Sequence, residues 1–190
     1  MGNRFGFVAA VGGFSNFVER YRQCNPPTPM DAIRLGLGAC AGVLLHNKFG
    51  KALFHPFQVD FADNLPPALV SEAKGSLVDL NTLSASVVEN LSFGFRPYGR
   101  MAGMPPDIFK VLMCLGDARR LLPFLPELYF GIKTTCPSFY RQDMKKLDVT
   151  LNQSQQLMID GDIFGAVDRF CVQTVKPLKF INTTPAKSLR

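Results

Sequence analysis

A chain of 190 residues, 47% hydrophobic and 19% charged, can bury a full core and is globular rather than disordered. Its 21 Lys and Arg against 15 Asp and Glu leave a charge of +6, a surplus that favours anionic partners. The longest basic clusters, Arg119-Arg120 and Lys145-Lys146, are too short for a nucleic-acid tract, so no nucleic-acid partner is expected.

Residues 5–11 are apolar and end at Gly12-Gly13, the pattern of a buried strand and a turn. Phe14, Phe17, Val18 and Tyr21 then form one helical stripe, of the kind that packs into a core. Residues 25–29 are a proline-rich break. Thr28 is placed to cap a helix with Pro29 at its first position and Asp31 in its first turn. That helix runs to about Leu45, and Gly36, Gly38 and Gly42 allow close packing at a cost in propensity. The longest apolar stretch, residues 35–45, is far too short to span a bilayer. Phe57, Val59 and Phe61 alternate with Gln58 and Asp60, which predicts a strand over 54–61, and 64–67 is a loop.

Residues 76–115 read as mainly β, with the best strands at 84–91 and 108–115 and a turn-rich stretch at 96–106. Asp117 can cap a helix covering Leu121, Leu122, Leu125 and Leu128, short or kinked because Pro123 and Pro126 lie inside it. Leu147, Val149 and Leu151 alternate with polar residues, and 155–159, 170–175 and 178–181 complete a terminal β set, with Asp168 in a turn. From Thr183 the chain is a polar tail. One domain over 1–182 and a tail over 183–190 is the expected organisation. Strands in runs with inserted helices predict a mainly β, α+β chain with a mostly antiparallel sandwich rather than a doubly wound sheet.

The five cysteines include no C-x-x-C pair, and His46 and His55 have no nearby Cys to complete a zinc site. Buried free thiols in a reduced, cytoplasmic setting and no metal cage are expected. The chemistry-bearing run is Leu157-Met158-Ile159-Asp160-Gly161-Asp162. Three apolar residues meet two acids separated by a glycine, as a buried strand would at a tight turn. If the extension continued, Asp160 and Asp162 would point the same way, and Gly161 would let a hydroxyl or phosphate approach the backbone. Two carboxylates on one turn suit a general base, or a base beside a Mg²⁺-organising acid. A β-turn whose Asp side chains bond neighbouring amides fits the same residues.

Several segments resemble the second half of diacylglycerol kinase-like lipid kinases, a family that includes sphingosine kinases. They are Phe95-Arg96-Pro97-Tyr98-Gly99-Arg100-Met101, the run from Met104-Pro105-Pro106 to Lys110-Val111, Leu125-Pro126-Glu127-Leu128-Tyr129-Phe130-Gly131, and Ile159-Asp160-Gly161-Asp162. The closing residues 175–181 resemble the family's last strand. Phe5-Gly6-Phe7 and Phe17-Val18-Glu19-Arg20-Tyr21 resemble the segment after its interdomain linker. The resemblance covers nearly the whole chain in the family's order. It implies an NAD-kinase-like superfamily member whose second domain is a β-sandwich supplying the lipid site and the D-G-[DE] acids.

The family's G-G-D-G-T nucleotide motif is absent here. Gly12-Gly13-Phe14-Ser15-Asn16 matches a glycine-rich nucleotide loop only superficially, and Asp162 stands where Glu is common. Carried over, Asp160 matches the general base on the lipid hydroxyl and Asp162 the second acid. Apart from the resemblance, Gly161, which has no Cβ, is expected at the substrate, and Arg96 and Arg100, which flank a Pro-Tyr-Gly loop turn in a positively charged chain, are expected near the mouth of the site, where they favour anionic membranes or phosphates. The resemblance implies ATP and Mg²⁺ for the complete enzyme, supplied through an upstream nucleotide-binding domain or subunit, and no cofactor for this chain alone. It implies a lipid substrate and a peripheral place on an anionic membrane surface at the inner face. A homodimer through an exposed sheet edge is a further expectation. The alternatives are a non-catalytic lipid- or partner-binding module and a stand-alone hydrolase using Asp160 and Asp162. The hydrolase lacks any accompanying His, Ser or metal cluster.

Overall fold

The computed structural model describes residues 4–61, 65–91 and 94–175. The expected strand at 178–181, the polar tail and part of the loop at 64–67 lie outside the described residues. Among the described residues seven strands form one sheet in which every pairing is antiparallel. They are β1 (Val8–Gly12), β2 (Phe57–Asp60), β3 (Leu77–Ser86), β4 (Phe109–Leu115), β5 (Phe139–Met144), β6 (Lys146–Ile159) and β7 (Asp162–Gln173). This is the expected mainly β class with inserted helices.

β1 and β2 share one track. Both pair with β3 on one side and with β6 on the other: Phe57–Asp60 oppose Leu80–Leu77, and Val8–Gly12 oppose Ser86–Thr82. The chain therefore leaves the sheet at Gly12 and rejoins it at Phe57. Between these points it makes α1 (Gly13–Arg22), α2 (Pro29–Leu44) and α3 (Lys48–Leu53). The sheet curls around a core of Val11, Phe57, Val59, Leu80, Leu83 and Val111. Tyr140 of β5 and Phe170 of β7 pack on that same core, which gives a barrel-like closure.

A bulge at Asn81 keeps β3 facing this core. Val78 and Leu80 point inward before it and Leu83 and Ala85 after it, so the parity shifts by one residue. β4 is buried on both sides. Phe109, Val111 and Met113 face the core, while Leu112 and Cys114 meet Tyr98, Leu121, Leu128 and Phe139 under the outer cover. That cover is a 3₁₀ stretch (Ala118–Phe124) leading into α4 (Leu125–Phe130), short and interrupted as the prolines require. α1 covers the outer face of β1 and β6 through Phe14 and Val18 against Ala10 and Met158.

Several boundaries differ from the expectations. The first strand starts at Val8 rather than 5, and the strand expected from 54 starts at Phe57, because Asn47 caps the short helix α3. The strand expected over 84–91 runs over Leu77–Ser86. The Ser86 hydroxyl bonds both the amide and the carbonyl of Val88, and this local turn ends the ladder. β5 has no sequence counterpart among the expectations. The strands expected at 147–151 and 155–159 are one strand, β6. β7 begins at Asp162, so Asp168 lies in a strand and not in a turn.

The cap of α2 is as expected. Thr28 accepts from the Asp31 amide, and Asp31 accepts back from the Thr28 amide and hydroxyl at 3.0 and 2.6 Å. These bonds from Thr28 hold the Asp31 carboxyl below its ordinary value of 3.8. A carboxyl shifted downward stabilises the fold above its ordinary value and loses that contribution as the pH falls through its lowered one. The difference in melting temperature between the wild type and Asp31→Asn is expected to shrink on acidification from about pH 6 to about pH 3. An unchanged difference across that window would show that the box contributes nothing.

Candidate functional site at the β6–β7 turn

The run singled out in the sequence is the tip of the β6–β7 hairpin. Ile159 and Asp162 pair, leaving Asp160 and Gly161 as a two-residue loop with φ of 51° and 90°. Positive φ at both positions is the type I′ geometry, whose twist matches that of the flanking strands and which favours Asp-Gly. The extension does not continue through the turn, so the two carboxylates go to different partners.

The Asp160 carboxylate reaches the start of β1. Its Oδ1 accepts from the amides of Phe7 and Val8 at 2.9 and 2.8 Å, and its Oδ2 accepts from Phe7 at 3.0 Å. Its own amide donates to the Val8 carbonyl at 2.9 Å. A carboxylate has about four acceptor positions. Oδ1 is filled, and Oδ2 keeps one acceptor position on an exposed residue. Gly6 lies against this group: a Cβ there would stand 2.9 Å from Oδ2. Asp162 pairs with Arg22 at the end of α1 at 3.0 Å, and the same guanidinium reaches the Gly161 carbonyl at 3.5 Å. Phe5, Phe7 and Val87 are exposed apolar side chains, with Phe7 bonded to Asp160 and to the Val87 amide.

Gly6, the Phe7 and Val8 amides and Arg22 were not among the sequence candidates. Asp-Gly between two apolar runs is a hairpin signal that identifies the turn. No signal in the sequence pairs it with residues 153 positions away.

Among the described residues, Arg96 and Arg100 make no hydrogen bond or ion pair with the residues of this turn. Arg96 pairs with Glu89 at 3.5 Å, its amide donates to the Tyr129 carbonyl, and Arg100 is exposed. Arg141 clamps their turn, donating from Nε to the Pro97 carbonyl at 2.6 Å and from Nη1 to the Ile132 carbonyl at 2.8 Å. Burial holds Arg141 below the usual arginine value, and Glu127 opposes the shift. Tyr98 is buried with its hydroxyl on Ser84, and burial pushes it far above the usual tyrosine value. The turn-rich stretch is thus an ordered cover for β4. Asp160, Gly161 and Asp162 come together in one turn, whereas Arg96 is held by a separate set of partners.

Gly12 and Gly13 do not form a phosphate cradle. An added Cβ at Gly12 would lie 2.5 Å from the Asn81 carbonyl oxygen and from the Phe57 ring, and one at Gly13 would lie 2.6 Å from Thr82 Oγ1. Protein therefore fills the space that a nucleotide loop leaves open for phosphate. Among the described residues no group of three or more His, Cys, Asp or Glu is placed to hold a metal ion. With Asp160 on backbone amides and Asp162 on Arg22, the residues present do not fit a Mg²⁺ site. All five cysteines are free. Cys114 and Cys136 are buried, but Cys171 is exposed, against the expectation of buried thiols. Among the described residues no helix is long and apolar enough to cross a membrane.

No protein-family model and no curated protein matches this chain. Two solved structures from Bacillus anthracis strain Sterne, each provisionally described as a diacylglycerol kinase, share its fold. One matches at 7% identity over 89% of this chain and 49% of its own, with a TM-score of 0.54. The other matches at 7% identity over 89% and 50%, with a TM-score of 0.50. At that identity the likeness is one of fold, and the chain spans about half the length of the structures it matches. The fold is the one that the sequence resemblance implies.

Proposed function

We propose that the chain is the lipid-acceptor half of a diacylglycerol or sphingosine kinase-like enzyme, with Asp160 as the base on the lipid hydroxyl. The observation that carries this reading is the Asp160 carboxylate, exposed at a turn on the shared fold, with Oδ1 fixed by two amides and one Oδ2 acceptor position open. Phosphoryl transfer depends on positioning and charge neutralisation more than on a strong base, so an ordinary Asp held in one orientation suffices. A hydroxyl seated on Oδ2 would be aligned by backbone bonds that do not need to reorganise. Asp162 then acts through the turn, which its ion pair ties to α1.

ATP and its metal would be bound by an upstream nucleotide-binding domain or subunit. Because Gly12 and Gly13 are packed, the 190-residue chain alone is expected to show no micromolar Mg-ATP binding by calorimetry; binding of that strength would overturn the division of labour. The direct test joins the chain to an upstream partner carrying G-G-D-G-T and follows labelled phosphate from ATP to a panel of lipids. Transfer to no lipid by a well-folded pair would refute the reading. A second reading, a non-catalytic lipid- or partner-binding module, is favoured by the fact that Asp160 is already used in holding β1.

A further inference from the structure

We propose that the outer face of α2 is a docking surface for an anionic lipid bilayer. A surface helix ordinarily turns a polar face to water. α2 does not. Its inner face, with Ala39, Gly42 and Val43 buried, packs against α1, α3 and the 3₁₀ stretch after β4. Its outer face carries Met30, Ile33, Leu37, Ala41 and Leu44, spaced three or four residues apart as one stripe. Met30 and Ile33 are each 54% exposed, Leu37 67% and Leu44 64%. Leu45, just past the helix, extends the stripe. From residue 35 to 45 there is no charged residue on either face. An apolar stripe on a helix lying at the surface is the form that seats in the headgroup–acyl boundary of a membrane.

The charges around the stripe select the partner. Residues 13–56, which form the three-helix excursion, hold Arg20, Arg22, Arg34, Lys48 and Lys51 against Glu19 and Asp31. Their net +3 is half the surplus of the whole chain. Arg34, next to Ile33 in the chain, is 76% exposed and pairs with Asp31 at 3.7 Å, and Lys48 and Lys51 are exposed on α3, which packs beside α2. Cations flanking an apolar helix match acidic headgroups around an acyl layer. A two-fold pairing of α2 with a second copy would instead bring two surfaces of net positive charge together, which like-charge repulsion disfavours. The docking surface deepens the lipid-acceptor reading by naming where the chain meets its bilayer, but it does not depend on Asp160.

The test uses the full chain and vesicles, with neither ATP nor an acceptor lipid, so its outcome is separate from kinase activity. Wild-type chain should sediment with vesicles containing phosphatidylglycerol, and binding should weaken as salt is raised. The variant Ile33→Gln, Leu37→Gln, Leu44→Gln changes only exposed positions and should bind at least about tenfold more weakly while keeping its circular dichroism. The variant Arg34→Gln, Lys48→Gln, Lys51→Gln should lose most of the preference for phosphatidylglycerol over phosphatidylcholine. The chain contains no Trp, so L37W supplies a single indole probe. Its emission should shift to the blue on vesicles and be quenched by brominated acyl chains. V70W, on an exposed position after the 3₁₀ turn Pro67–Leu69, should respond to neither. Undiminished binding by the triple Gln variant, or an unshifted L37W emission on bound vesicles, would overturn the proposal. So would a wild-type dimer that ignores vesicles and becomes monomeric in the triple Gln variant, which would make the occupant a second copy.

Discussion

Asp160→Asn, in the chain reunited with a nucleotide-binding half, is expected to keep its fold and lose phosphoryl transfer by a factor on the order of 10²–10⁴. Asn fills the same space, and its carbonyl oxygen can still accept from Phe7 and Val8 in place of Oδ1. The amide nitrogen that replaces Oδ2 can accept neither the Phe7 amide nor a proton from a substrate hydroxyl. The structural loss is then one hydrogen bond at an exposed residue, about 1 kcal/mol or less. Asp162→Asn removes an ion pair with Arg22 between two exposed groups and should reduce turnover less. Asp168→Asn, on an exposed position of β7, should leave turnover unchanged. Melting temperature and kcat measured on the same protein separate the two roles. A lowered melting temperature with wild-type kcat would make Asp160 a strut for β1 and would end the catalytic reading.

Gly12→Ala is expected to be strongly destabilising, by about 3–5 kcal/mol. Gly12 has φ 76° and ψ −135°, a region essentially closed to residues with a Cβ. The added methyl would also meet the Asn81 carbonyl oxygen and the Phe57 ring, both at 2.5 Å. Neither can move freely, because Asn81 is the bulge of β3 and Phe57 is a core residue that starts β2. For a domain of this size the melting temperature should fall by roughly 10 °C. Two controls divide the cause. Gly161→Ala has φ 90° but open space around it, so it carries backbone strain alone and should cost about 1–2 kcal/mol. Gly36→Ala lies inside α2 with nothing within 4 Å and should stabilise by roughly 0.5–1 kcal/mol. Gly12→Ala melting within about 2 °C of wild type would contradict the tight exit from β1 described here.

Features whose cause is local could be read from the amino-acid chain alone. The cap, the proline and the acid at residues 28–31 lie within one helical turn, so the start of α2 was legible without any partner. The Phe57–Val59–Phe61 and Leu147–Val149–Leu151 alternations reported an inward face directly, and Pro123 and Pro126 reported a broken helix. The Asp-Gly turn was legible as a break, and the order of the family-like segments pointed to the fold.

Features that depend on distant pairing became visible in the folded chain. β7 buries one residue along its length, Val167, so it has little periodic signal and is defined by its ladder with β6. β5 mixes Arg141, Gln142 and Asp143 with its aromatics because one side is half open. β1 and β2 lie end to end on one track, which no window of sequence around either strand contains. The same holds for the site. The two acids were visible, but which atoms they bind was set when β1 crossed the tip of a hairpin more than 150 residues later in the chain. Local chemistry chose the turn, and long-range register chose its partners.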